Sequence, residues 1–187
     1  MPSWARAFSG GLLFCLMLWP LLSVADPFAA KIDHAELVDS AAGPRLQAQI
    51  DYQLSPTAKE ALHKGVPLTW FILVKILEPG WLWDSSVYSQ KLPYRLQFHA
   101  LLNQYEVLTP AKRSEMFLTL NAALSFMAGL HDTQPIAAEL LQSGQPYRLA
   151  IKCQFDRESL PVPLRPFAYL DSQWLLSSDW TLWPIQK

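Results

Sequence analysis

The chain is short of nearly everything that small exported domains or enzymes use as scaffolding for chemistry. Its 187 residues include only two cysteines, Cys15 and Cys153. Cys15 sits in an N-terminal apolar run, so the rest of the chain holds a single thiol and no disulfide can staple it. The four histidines, His34, His63, His99 and His131, lie far apart, and none has a second ligand at a spacing such as His-x-x-x-His. No metal or cofactor is expected on that pattern. Only seven glycines are present and none forms a phosphate-cradling loop. Gly-x-Ser-x-Gly and Ser-x-x-Lys are both missing, which removes the usual signatures of an activated serine. Fifteen basic residues face 16 acidic ones without a basic block along the chain, which argues against nucleic acid as a partner.

What is present begins with an export signal. Arg6 is the only charge before Asp26, and it precedes the apolar run Gly11–Leu22. Pro20, then Ser23 and Ala25, supply a helix breaker and a small-residue cleavage site. The apolar core is shorter than the ~20 residues of an ordinary membrane span. Residues 1–25 are therefore expected to be a signal peptide and 26–187 a single extracytoplasmic domain, periplasmic after cleavage near Ala25. An uncleaved signal would instead tether the domain to the inner membrane.

The periods that follow predict a mainly β, α+β fold: an antiparallel sheet or β-sandwich with one or two packed helices. Strands are expected over Ile32–Leu37, Arg45–Leu54, Pro93–Leu102, Tyr105–Leu108, Tyr147–Phe155 and from Gln173 to Ser178 or beyond. Pro67–Glu78 is apolar on both phases, which predicts a central strand covered on both faces. Ser55-Pro56 opens a short helix that Gly65 ends, and a second helix is expected over about Lys112–Ala128. The prolines of Leu160–Pro166 place that stretch at an edge or in an extended loop.

Four ordered blocks carry a resemblance. They are Ala61–Leu68, Tyr94–Leu101 with Tyr105 and Val107, Leu160–Arg165, and Trp174–Trp180. Together they resemble the proteobacterial exported proteins of domain of unknown function 4390. The resemblance implies a signal peptide, a Gram-negative envelope location and genes beside that of a membrane sensor kinase, and it implies no known activity. In one respect the chain departs, because the turn Glu78–Trp81 has none of the arginines the resemblance would place there.

The tryptophans are the main candidates for a surface. Trp81 and Trp83 are two apart, as on one strand face, and Trp174, Trp180 and Trp183 cluster near the C-terminus. Such rings fill cores efficiently, yet exposed ones would form a patch for a partner, a membrane interface or a glycan. The candidate binding residues are Trp81, Trp83, Trp180, Trp183 and His99, and no catalytic residue is assigned. Cys153 reads as a small buried hydrophobe, and Ser177-Ser178-Asp179 as strand-end and turn chemistry. The favoured reading is a non-enzymatic interaction domain with an envelope protein as partner, accessory to a sensor kinase. The alternatives are a glycan- or lipid-binding domain using exposed tryptophans, and a hydrolase whose residues, among them His99, Asp156 and Glu158, converge from distant segments.

Overall fold

The structure, a computed structural model, describes residues 28–142 and 144–185. The expected signal over 1–25 lies outside the described residues. Among the described residues no helix is long and apolar enough to cross a membrane.

Strict alternation builds the first layer. Strand β2 (Arg45–Asp51) buries Leu46, Ala48 and Ile50 and exposes the residues between them, the period of a strand with one covered face. It pairs antiparallel with β1 (Lys31–Val38) across a turn in which Gly43 has φ of +112°, a conformation that side chains disfavour. The register shifts between Ile32 and His34. This irregularity turns both Ile32 and Ala35, three residues apart, towards the core.

The second layer is a six-stranded antiparallel sheet. Its strands are β3 (Leu68–Glu78), β4 (Ser85–His99), β5 (Gln104–Leu108), β6 (Ser114–Phe117), β7 (Arg148–Phe155) and β8 (Thr181–Pro184), in the order β6-β5-β4-β3-β7-β8. The inner face of β3 contributes Leu68, Trp70, Ile72, Val74 and Ile76, and β4 adds Leu92, Tyr94 and Leu96. These pack with Ile32, Leu46 and Ile50 of the small sheet in one core whose members, among the described residues, run from Ala30 to Leu176. Helix α1 (Pro56–His63), capped by the Ser55 hydroxyl that accepts from Ala58 N at 3.0 Å, packs against β4 and the turn Ser172–Trp174. Helix α2 (Leu120–Ala128) packs against β2, β5 and β6. The architecture is mainly β, two antiparallel sheets enclosing a core with helices at its margins.

Four local expectations are corrected. The expected helix over Lys112–Ala128 is only half helical. Lys112, at φ of +60°, turns the chain so that Ser114–Phe117 becomes edge strand β6, and α2 starts afresh where the Thr119 hydroxyl accepts from Ala122 N at 3.2 Å. The proline stretch is wound rather than extended: Val162–Leu164 forms a 3-10 turn and Arg165–Leu170 the short helix α3, because prolines at first-turn positions surrender no needed donor. The last strand is β8, and the stretch from Gln173 begins as a turn with buried Trp174. Finally, β3 is central, and among the described residues a layer covers only its inner face. Thr69, Phe71, Leu73, Lys75 and Leu77 stay half-exposed on the outer face.

Candidate functional site

The tightest concentration of exposed apolar surface is the β3–β4 turn. Pro79 and Gly80 break the ladder, and a side chain on Gly80 would collide with the Trp83 carbonyl, so only glycine lets the chain fold back this closely. Trp81, Leu82 and Trp83 then project at 98%, 67% and 77% exposure. They lie in the turn and not on a strand, as their spacing had suggested. Behind them Asp84 accepts from the Arg148 guanidinium of β7, which ties the root of the turn to the sheet.

The other three candidate residues do not join this turn. Trp183 lies on β8 opposite Leu149, half-buried, with its ring edge-on to His34 at 5.4 Å. It helps line a concavity of about 270 Å³ between β1 and β8. Trp180, 41% exposed, precedes β8 and has the Lys75 ammonium 5.0 Å from its ring centroid. His99 ends β4 at the strand's far end, 14 residues from Ser85, on the order of 45 Å away for an extended chain.

His99 belongs to a separate polar network. Its Nε2 is 2.6 Å from Glu106 Oε2 on β5, and the Ser114 hydroxyl donates to Glu106 Oε1 at 2.5 Å. The serine thus bonds the carboxylate and not the imidazole. The Ser114 hydrogen bond, and after it the one from His99, hold the Glu106 carboxyl below its ordinary range. A carboxylate so shifted contributes stability above its unfolded pKa that is lost as pH falls through the folded one. Acid titration of the melting temperature below about pH 4.5 should therefore show a shallower limb in Glu106→Gln than in the parent. Near this network His63 bonds the Tyr105 hydroxyl at 2.8 Å. With Phe98, His99, Leu101 and Leu102, His63 borders a shallow apolar concavity of about 460 Å³.

Ser177, Ser178, Asp156, Glu158 and Cys153, and with them Asp171, are engaged in the fold. Ser178 Oγ accepts from Cys153 N at 2.8 Å and Ser177 Oγ from Phe155 N at 2.9 Å, so both hydroxyls stand in for ladder acceptors beside β7. Asp156 accepts from Glu158 N at 3.2 Å and Asp171 from Gln173 N at 2.9 Å, each capping a turn. Glu158 accepts from the Tyr169 hydroxyl. Among the described residues no group of three or more His, Cys, Asp or Glu is placed to hold a metal ion. Burial pushes the Cys153 thiol up to about 12. The thiolate is the reacting form, so a thiol reagent at pH 8 should label Cys153 only as fast as the domain unfolds. Denaturant should restore labelling at once.

The sequence profile described as "Domain of unknown function (DUF4390)" matches residues 29–184. The chain belongs to this family. Comparison with curated proteins and with solved structures finds no match. The DUF4390 match takes in both sheets, the exposed turn and the His99 network.

One set of residues in this DUF4390 domain escaped sequence reasoning. On the outer face of the six-stranded sheet, Leu73 is flanked across the strands by Lys91 on β4 and Lys152 on β7. Lys75 follows two residues along β3, between Ser89 and Ala150. The three lysines are 16 to 77 positions apart in sequence, so only strand pairing makes them neighbours. The period-2 pattern of β3 put Lys75 on one face, and the missing information was register.

Proposed function

We propose that this DUF4390 protein is an exported periplasmic domain that works by binding and not by catalysis, engaging an envelope protein through Trp81, Leu82 and Trp83. The observation that carries the reading is the exposure of these rings, 98% and 77%, in a molecule that buries Trp70 and Trp174 to 1% and 2%. The fold has the means to bury tryptophan and leaves this pair outside. Large aromatic side chains on a turn held at its root supply contact area at little ordering cost, and tryptophan is enriched where binding energy concentrates. The family resemblance directs attention to a membrane sensor kinase as the partner. Cleavage near Ala25 would release the domain into the periplasm, and N-terminal sequencing of the exported chain checks that step.

A photoreactive residue in place of Leu82 tests the contact in living cells. It should give one discrete envelope-protein adduct, absent when the same group replaces exposed Lys59 on α1. Identical products at both positions would defeat the proposal.

A further inference from the structure

We infer that the outer face of the six-stranded sheet seats on an anionic phospholipid bilayer through Lys75, Lys91 and Lys152. The inference does not depend on the exposed turn. It starts from the paired register: side chains directly opposite in an antiparallel ladder share a face, so Lys91, Leu73 and Lys152 form one row. Neighbouring strands are ~4.8 Å apart, which places the Lys91 and Lys152 backbones about 10 Å from each other with Lys75 about 7 Å along the strand. Among the described residues none of the three ammonium groups has a carboxylate within 4.0 Å. Two stand over aromatic rings instead, Lys91 at 3.5 Å from the Phe71 centroid and Lys75 at 5.0 Å from that of Trp180. Arg95 lies further along β4 on the same face, bonded to Gln97 at 3.0 Å, and there its charge is partly offset by the Glu106 carboxylate opposite Gln97. All this occurs in a chain of net charge −1.

The face alternates charge with apolar surface. Phe71 and Leu73 are half-exposed beside the cations, Leu77 follows two residues beyond Lys75, and Leu182 of β8 stands 49% exposed opposite Ala150. Charge selects among the possible covers. A second copy of this face would set lysine against lysine. The N-terminal apolar segment has no acidic residue before Asp26 to offer. A bilayer rich in anionic headgroups matches both the spread of cations over a sheet and the apolar residues between them, since lysine stems lie along apolar surface with their heads at the phosphates.

The test is vesicle flotation of a chain beginning at Asp26, which retains every core residue among those described. Neutral phosphatidylcholine vesicles are compared with vesicles containing one part phosphatidylglycerol to two of phosphatidylcholine. The expected result is co-flotation with the anionic vesicles only, abolished in high salt. A lysine near such a surface is worth about fivefold in partitioning, so Lys75→Gln/Lys91→Gln/Lys152→Gln should weaken it on the order of 100-fold. Lys152→Gln alone, which disturbs no ring contact, should weaken it about fivefold. Trp81→Ser/Trp83→Ser should float like the parent. Equal flotation with both vesicle types would overturn the inference, as would indifference to salt, or loss in the tryptophan variant but not in the lysine variants. Binding of the lysine face to an acidic protein while anionic vesicles are ignored would overturn it as well.

Discussion

Trp70→Ala should destabilise the domain by about 3–5 kcal/mol, read as a large drop in denaturation midpoint. Trp70 sits in the middle of the sandwich at 1% exposure. Its ring meets Tyr52 edge-on at 5.5 Å and Phe155 at 5.2 Å, and Phe155 stacks in turn on Trp174 at 6.0 Å. The indole Nε1 donates to the Leu176 carbonyl at 3.1 Å, and that bond joins the central strand to the irregular segment leading into β8. Truncation to alanine therefore opens a cavity beside the Tyr52 and Phe155 rings and leaves a carbonyl without its donor. Domains of this size hold only ~5–15 kcal/mol in total, so the alanine variant stands close to the limit of folding. Trp70→Phe separates the two effects. It keeps most of the ring volume and loses the hydrogen bond, and it should cost about 1–3 kcal/mol. A phenylalanine variant as unstable as the alanine one would show that the Leu176 bond, and not ring packing, dominates this part of the core.

Trp81→Ser/Trp83→Ser should do the opposite, leaving the melting temperature nearly unmoved while abolishing partner binding. The two side chains are almost wholly in solvent, and substitutions at such positions usually stay within about 0.5 kcal/mol. If the rings are binding anchors, each should contribute at least ~2 kcal/mol to association, about 30-fold in Kd apiece. A calorimetric melt and the Leu82 crosslinking experiment on the same variant read the two quantities separately. Retained crosslinking with both rings gone would refute the proposed contact. A large loss of melting temperature would show instead that the turn is part of the fold's support.

Much of the architecture was legible because it rests on local periodicity. Leu46, Ala48 and Ile50 announce a one-sided strand, and Ser55-Pro56 announces α1. The errors arose where one residue in a left-handed conformation outweighed a helical pattern. Met116, Leu120, Ala123, Leu124 and Met127 share a helical stripe, yet Lys112 and the Thr119 cap divide them between β6 and α2, and Met116 stands 41% exposed. The apolar run of β3 misled differently. Phe71, Leu73 and Leu77 look like a second buried face, and sequence offers no means to see that no layer of the described residues covers them. Of the candidate residues, Trp81 and Trp83 stand together in the exposed turn, while Trp180, Trp183 and His99 are dispersed by the sheet. Partners that depend on pairing, such as Glu106 with His99 or Lys152 with Lys91 across Leu73, leave no trace in spacing along the chain.

The sheet's two margins are β6 and β8, four residues each. An unpaired strand edge is a template on which another chain can add its own strand, and length, flatness and hydrophobicity decide how dangerous it is. Here Ser114 and Glu115 make one margin polar and exposed, and Pro184 ends the other with a residue that offers no amide hydrogen. The six-stranded sheet, with its half-exposed apolar face, therefore offers at its own two margins only short and blunted templates for strand addition.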